Sequence, residues 1–415
     1  MKLEVVTIGT ELLLGYTIDS NGADLGRALA AAGVEIVRRT TVADRPDAIR
    51  AAVADALQRT GFVVTTGGLG PTRDDETKTV VAEMLGRRLV LDEAVLAALE
   101  ARFKRFGRPM PEVNRGQALV PDGATVLPNP RGTAPGLWVE DSGGRTVVLL
   151  PGVPSEMRGL LVEEVLPRLR ARAGTGSRVV RSRTVRTTGV PESALAERIG
   201  PIEPQIAPLT LAYLPSLFGV DLRVTAWGLV SDDAESRLTE AAGRLAQLAG
   251  EHYYGEDDAD LAAHVLAQLR QNGRRLGIAE SCTGGMVAAR ITAVPGASDS
   301  FLGSVVAYAD AVKAGALKVP LETITACGAV SEETVRAMAE GAQQFFGVDC
   351  SMAVTGIAGP GGGTPEKPVG TVWLAARVDG DTRVVRRVFP GDRDEIRGRA
   401  AQAALDLLRR HLVAV

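Results

Sequence analysis

The chain has 415 residues, 45% of them hydrophobic, with a formal net charge of −3. That is the make-up of a globular protein too long for one ordinary core, so two or three domains are expected. No apolar run reaches the roughly 18 residues a membrane helix needs, and the slightly acidic balance, with no unopposed basic cluster, makes nucleic acid a poor candidate partner. The N-terminus enters a strand-like run without signal-peptide anatomy, and Cys282, Cys327 and Cys350 are scattered and odd in number. No disulfide framework is implied, and a cytoplasmic location is expected. With three histidines and no cysteine pairs, a zinc site of the usual kind is not expected, and any divalent metal would be held by carboxylates and phosphates.

The first block, residues 1–171, alternates strands with helices. Leu3–Ile8 is a β-rich run ending at Gly9, and a helix follows from Asp19-Ser20-Asn21 through Ala31. Val34–Val37 is the next strand, a helix runs to about Leu57, and Phe62–Thr66 is a buried-type strand. This pattern predicts βαβ units and a parallel sheet covered on both faces, with ligands beyond the carboxyl ends of its strands. At one such end lies Thr66-Gly67-Gly68-Leu69-Gly70-Pro71-Thr72-Arg73-Asp74-Asp75. Gly67, Gly68 and Gly70 can present backbone N–H groups to phosphate, and Arg73 adds charge. Asp74 and Asp75 suit a divalent cation once a phosphorylated ligand is present. The plainer alternative is a solvated turn whose acids favour the next helix start.

The second block, 174–255, begins with the linker-like Gly174-Thr175-Gly176-Ser177 and reads as a small α+β module. Strands are predicted at Val179–Thr188, Leu209–Leu214 and Val220–Trp227, and helices at Pro191–Ile199 and Asp232–Ala249. Its first strand is basic, but no Gly-x-x-Gly loop accompanies it, so a structural or dimerisation role is favoured over nucleic acid.

The third block, 256–415, follows an acidic connector at 251–260. An amphipathic helix, Leu261–Leu269, precedes a short strand, Leu276 to Ile278. Then come Ala279-Glu280-Ser281-Cys282-Thr283-Gly284-Gly285 and a helix from Met286. Hydroxyls and paired glycines at a strand-to-helix turn place Ser281 where a nucleophile and an oxyanion site can coincide. The ordinary reading of such a serine is a helix N-cap. Further on, Val305–Tyr308 is a strand and Ala311–Leu317 a helix carrying Lys313. Ser331 caps the helix that starts at Glu332, and Cys350–Thr355 runs into a second glycine-rich loop. Val372–Val378 and Arg383–Phe389 are strands, and Asp392–Val413 is the closing helix. His264 and His411 fall on predicted helices as surface residues, which disfavours a Ser–His–Asp triad. Lysine can replace histidine as a base, so Ser281 with Lys313, assisted by Tyr308, would be a workable amidase set. On the residues alone a solvated helix lysine is the more ordinary reading of Lys313.

Two sets of motifs resemble one family. Val64 to Asp75, Asn129-Pro130-Arg131-Gly132-Thr133-Ala134-Pro135-Gly136 and Pro151-Gly152-Val153-Pro154-Ser155-Glu156-Met157 resemble the CinA branch of the molybdopterin-binding fold, with Glu11, Asp19, Asn21 and Asp44 at its polar positions. The Ser281 motif, Tyr308 with Lys313, Gly328-Ala329-Val330-Ser331, Gly356-Ile357-Ala358-Gly359-Pro360 and Lys367-Pro368-Val369-Gly370-Thr371-Val372 resemble the CinA C-terminal, nicotinamide mononucleotide deamidase, domain. Ala309-Asp310 departs from the Ser-Asn that relatives often carry.

The resemblance implies an α/β protein of three parts: a molybdopterin-binding-like three-layer domain, an α+β middle domain and an α/β deamidase domain. It implies hydrolysis of the carboxamide of nicotinamide mononucleotide (NMN), with Lys313 as base for Ser281. Backbone N–H groups of Cys282–Gly285 would hold the oxyanion, with Thr283 or Tyr308 adding a hydroxyl. Thr355, Gly356, Gly359 and Arg393 would approach the nucleotide phosphate. It also implies an ADP-ribose pyrophosphatase site at Thr66, Gly67, Gly68, Gly70 and Arg73. Asp44, Asp74 and Asp75 would hold Co2+, Mg2+ or Mn2+ there, with K+ a further candidate. No cofactor is expected for the deamidase half, and a homodimer is implied. The alternatives are a chain that is mainly a nucleotide pyrophosphohydrolase, or a non-catalytic adaptor in DNA uptake or repair.

Overall fold

A computed structural model describes residues 1–173 and 178–414; the expected linker Gly174-Thr175-Gly176-Ser177 lies outside the described residues. The chain forms two compact units, Met1–Arg181 with Ala226–Ser236, and Ser182–Thr225 with Arg237–Val415.

In the first unit, strands β1 (Lys2–Ile8), β2 (Glu35–Val42), β3 (Phe62–Thr66), β4 (Thr125–Leu127), β5 (Gly136–Glu140) and β6 (Thr146–Leu150) form one sheet in the order β2-β1-β3-β6-β5-β4. The expectation of a parallel sheet holds for the first four of these and fails for the last two, which pair antiparallel. The reason is local: a tight turn, closed by Asp141 N–H donating to Arg145 O at 3.0 Å, links β5 to β6. A short turn can join only antiparallel neighbours. Leu25 and Leu29 of helix α1 (Ser20–Ala31) cover one face, and Ile49 and Val53 of α2 (Pro46–Thr60) the other, giving three layers. The β3 end leads through the glycine loop to α3 (Thr77–Met84).

The middle module has a sheet of β7 (Arg178–Thr187), β8 (Thr210–Pro215), β9 (Val220–Val230) and β10 (Tyr253–Glu256) in the order β8-β9-β7-β10, and helix α4 (Ser231–Ala249).

The C-terminal sheet, in the second unit, contains β11 (Leu276–Glu280), β12 (Phe301–Val306), β13 (Cys350–Gly356), β14 (Thr371–Val378) and β15 (Asp381–Val388), in the order β12-β11-β13-β14-β15. The first three run parallel, and β14 and β15 run antiparallel. Side chains alternate faces along each strand. Ile278, Met352 and Leu374 therefore pack towards α5 (Leu261–Gln271) and the last helix. Their neighbours Ala279, Ala353 and Ala375 lie under Val335, Met338 and Ala342 of α8 (Glu332–Phe346). The alanines let α8 lie close to the sheet. Helices α6 (Met286–Thr292), α7 (Asp310–Leu317) and α9 (Arg393–Ala414) complete this domain. Ser331 caps α8 as expected, its hydroxyl accepting from Thr334 N–H at 3.2 Å.

Two further expectations fail. β12 stops at Val306, so Tyr308 stands beyond the strand. His411 is buried, not superficial, because α9 is packed against β14; its ring meets Ala376 O at 3.1 Å and Asp381 Oδ2 at 2.9 Å.

Candidate active site

Three parallel strands end together here: Glu280 stands opposite Val306 on one side and Val354 on the other. Ser281, the next residue, still donates its N–H to Val354 O at 2.9 Å, which fixes its backbone to the sheet. Gly284 (φ +61) and Gly285 (φ +94) then turn the chain in the left-handed region that favours glycine. The fully buried Glu280 carboxylate folds back under this turn. It accepts from the N–H of Gly285 (3.0 Å), Val287 (3.1 Å) and Ala288 (3.0 Å), and from the Ser304 hydroxyl at 3.2 Å. Each such N–H left unpaired would cost about 1–3 kcal/mol, so Glu280 is the anchor of the turn.

This anchoring narrows the expected oxyanion site. Gly285 N–H belongs to Glu280, and Gly284 N–H to Ser281 O at 3.1 Å. Those two amides leave the set. The amides of Cys282 and Thr283 make no backbone hydrogen bond among the described residues, and are the pair in the turn that a developing oxyanion could engage. Thr283 is fully enclosed, and its hydroxyl has no partner among the described residues.

Lys313 is not a solvated helix lysine. It is 2% exposed and ranks among the largest fully buried side chains. Its ammonium donates to Tyr308 O at 3.2 Å and to Asp310 Oδ1 at 3.0 Å, and no hydrogen bond joins it to Ser281 among the described residues. Asp310, whose role the sequence left in doubt, is thus the ionic partner of Lys313 one helical turn away. The i,i+3 spacing of opposite charges was the signal that could have found it.

The other expected residues close the same strand ends. Arg393, at the start of α9, donates to Gly359 O at 2.5 Å and to the Tyr308 hydroxyl at 2.9 Å, bridging two loops. Thr355 donates its hydroxyl to Ala329 O at 2.7 Å, so it braces a loop. Gly356 and Gly359 are needed sterically: a side chain on Gly356 would strike Thr371 O, and one on Gly359 would strike Val369. Arg397 went unnoticed in the sequence, and Lys367 stood there only as part of a motif, with no role of its own. Arg397 donates to Thr283 O at 3.2 Å, and Lys367 donates to Cys327 O at 3.0 Å and Val330 O at 2.8 Å. Neither sits in a motif whose chemistry is legible from spacing.

Cys282 adjoins Ser281, yet burial pushes its thiol up to about 12, and that of Cys350 likewise to about 12. The thiolate is the reactive form, so burial disfavours Cys282 as a nucleophile, and Ser281 stays the candidate in the turn. Iodoacetamide at pH 8 should leave Cys282 and Cys350 unmodified in the folded protein and alkylate the partly exposed Cys327 first; peptide mass spectrometry reads the order.

The expected phosphate loop of the first unit is changed in a similar way. Gly67 N–H is spent on Leu150 O at 3.0 Å. Gly67 and Gly68 are glycines for packing, since side chains there would strike Ile8 O and the Thr77 hydroxyl. Thr66 donates to Pro151 O at 2.8 Å and accepts from Asn21 Nδ2 at 3.0 Å. A side chain on Gly70 would strike the Asp75 carboxylate. Asp75 is turned onto its own loop, accepting from Thr72 N–H at 2.9 Å, and Asp44 accepts from Thr10 N–H at 2.8 Å. Arg73 and Asp74 remain exposed, and a Thr72 hydrogen bond holds the Asp74 carboxyl below its usual range. Among the described residues no three ligating side chains converge on a cation position. The protein groups alone therefore do not fit a divalent metal. The buried polar atoms that do lack partners here are Asn21 Oδ1 and Thr77 Oγ1.

Lys78, beside this loop, donates to Gly116 O at 2.7 Å, and burial lowers its amine from 10.5 to about 8. The charged form is thus disfavoured in the fold. Between about pH 8 and 10.5 the unfolded chain holds a proton there that the folded chain has lost, so stability rises with pH across that window. The thermal midpoint of the wild type should gain on that of Lys78→Met from pH 8 to pH 10; parallel curves would refute the assignment.

Family models match the whole succession. The CinA C-terminal domain matches residues 258–412, the probable molybdopterin binding domain 4–171, and the damage-inducible protein CinA KH domain 182–255. Over 411 residues the chain is 56% identical to a CinA-like protein of Gemmatimonas aurantiaca, covering 99% of this chain and 96% of that protein. It is 43% identical over 422 residues to a putative competence-damage inducible protein of Symbiobacterium thermophilum, covering 100% and 99%. A crystal structure of competence damage-inducible protein A from Klebsiella pneumoniae is 38% identical, with a TM-score of 0.36, over 37% of this chain and 95% of that one.

Proposed function

The chain belongs to the CinA family, and on that premise we propose that its C-terminal domain is an amidohydrolase converting NMN and water to nicotinic acid mononucleotide and ammonia. One observation carries this reading: a lysine buried to 2% exposure at the same strand ends as a serine in a glycine turn. Burying a lysine is costly, and the pairing with Asp310 offsets that cost. In the proposed reaction, substrate binding turns the Lys313 amine from Asp310 towards Ser281. As it turns, the ammonium leaves its extra proton on the Asp310 carboxylate, and the neutral amine accepts the Ser281 hydroxyl proton as Oγ bonds to the carboxamide carbon. The amides of Cys282 and Thr283 receive the oxyanion. Collapse breaks the C–N bond, Lys313 returns the proton to the departing ammonia, and water cleaves the ester. Tyr308 and Arg393, joined to each other and to Gly359, stand where the nucleotide phosphate would be met. This half needs no metal.

For the first unit the reading is a site for a phosphate-bearing ligand of the ADP-ribose kind. It is supported by the unpartnered Thr77 Oγ1, next to Lys78, which can donate to a phosphate, and by the unpartnered Asn21 Oδ1, which can accept from a ligand hydroxyl. The setting we assign is pyridine nucleotide recycling in the cytoplasm, by a homodimer. Incubating pure protein with NMN, and separately with ADP-ribose plus a divalent cation, and identifying products by NMR, tests both halves. Ammonia and nicotinic acid mononucleotide are expected from the first mixture. Release of AMP from the second with NMN left intact would make the chain a pyrophosphohydrolase instead.

A further inference from the structure

Within the second unit a cleft of about 780 Å³ lies away from the Ser281 turn in both lining and chemistry. One wall is α9 with β14 and β15; the other is the loop after β7, the hairpin tip between β8 and β9, and His252. Its volume is that of a small-molecule site.

Part of the lining is already satisfied. Arg410 binds Asp406 at 2.8 Å and Glu251 at 2.7 Å, and meets His252 Nδ1 at 3.1 Å. Two other groups are not. Gln402 is 4% exposed; its amide nitrogen donates to Thr188 Oγ1 at 3.1 Å, but its Oε1 is enclosed without a partner. Arg399 Nε is enclosed without a partner, and neither Arg399 nor Arg387 has an ion pair among the described residues. Enclosed polar atoms left bare cost free energy unless a ligand meets them, and the exposed Arg387 adds positive charge at the rim. Between them the cleft offers apolar surface from Leu374, Val385, Phe389 and Phe218.

We infer that this cleft is a second small-molecule site, for a nucleoside monophosphate. Its phosphate is met by Arg399 and Arg387, its ring lies against Phe218 and Phe389, and a base or ribose donor reaches Gln402 Oε1. Residues 399, 402, 403, 406, 407 and 410, all lining the cleft, share one helical face of α9. Arg397, which holds Thr283 O, is two residues and so about 200° round the helix from Arg399. The cleft and the catalytic turn are therefore served by different faces of one helix, and the inference stands whether or not the Ser281 turn is an amidase.

The test uses the full chain. Calorimetric titration with AMP, GMP, CMP and UMP should show binding that weakens at least tenfold in Arg399→Met and in Arg387→Gln, the latter an exposed position whose change leaves the core untouched. Photolabelling with 8-azidoadenosine 5′-monophosphate should mark peptides spanning 215–220 or 385–410 and lose that mark in Arg399→Met. Absence of binding at millimolar nucleotide, affinity unchanged in Arg387→Gln, or label confined to the first unit or to residues 280–290 would overturn the inference.

Discussion

Ser281→Ala should lower ammonia release from NMN by at least about 10³-fold, the scale seen when a serine nucleophile is deleted from a site whose binding groups remain. The substitution removes one oxygen. The bond from Ser281 N–H to Val354 O and the Glu280 anchor beneath the turn both survive it, since neither uses the side chain. The far-UV spectrum and thermal midpoint should therefore stay close to wild type while turnover vanishes. Binding of NMN should persist, because the residues that would meet the phosphate are elsewhere on the strand ends. A rise in KM alone, with kcat retained, would show that Ser281 only positions substrate.

Lys313 is expected to be nearly as sensitive. Lys313→Met fills the same enclosed space with an unbranched apolar chain, and kcat should fall about 10²–10⁴-fold, the contribution of a general base. Lys313→Arg separates the chemical role from the structural one. Arginine keeps the positive charge and an ion pair with Asp310, but its guanidinium cannot give up a proton in a protein. An arginine variant that folds and still fails to turn over points to proton transfer. One that works would mean that the site needs only a cation there.

Much of this arrangement was legible in the chain itself, because it depends on local chemistry. Phe62–Thr66 and Cys350 onwards read as buried strands, the glycine pairs marked the turns, and Ser331 announced its helix. Some things depend on what the folded chain brings near. Nothing in the spacing of Lys313 says that α7 and the end of β12 will enclose it. Glu280 looked like one member of a motif, and only the turn of the chain brings three amides onto its carboxylate. The same turn takes the Gly284 and Gly285 amides away from the oxyanion role that glycine spacing suggests. In the first unit the glycines of the Gly67 loop satisfy packing against Ile8 and Thr77, a need indistinguishable in sequence from cradling a phosphate. His411 looked superficial because a helix pattern does not say how many neighbours the helix will have.

The proposed mechanism requires Ser281 and Lys313 to act as one unit, although here the lysine rests on Asp310. A double-mutant cycle on NMN deamidation measures that coupling directly. If the pair works together, Ser281→Ala with Lys313→Met will be no slower than the slower single variant. Losses that multiply, so that the double variant falls by the product of the two single effects, would show two independent side chains and contradict the mechanism.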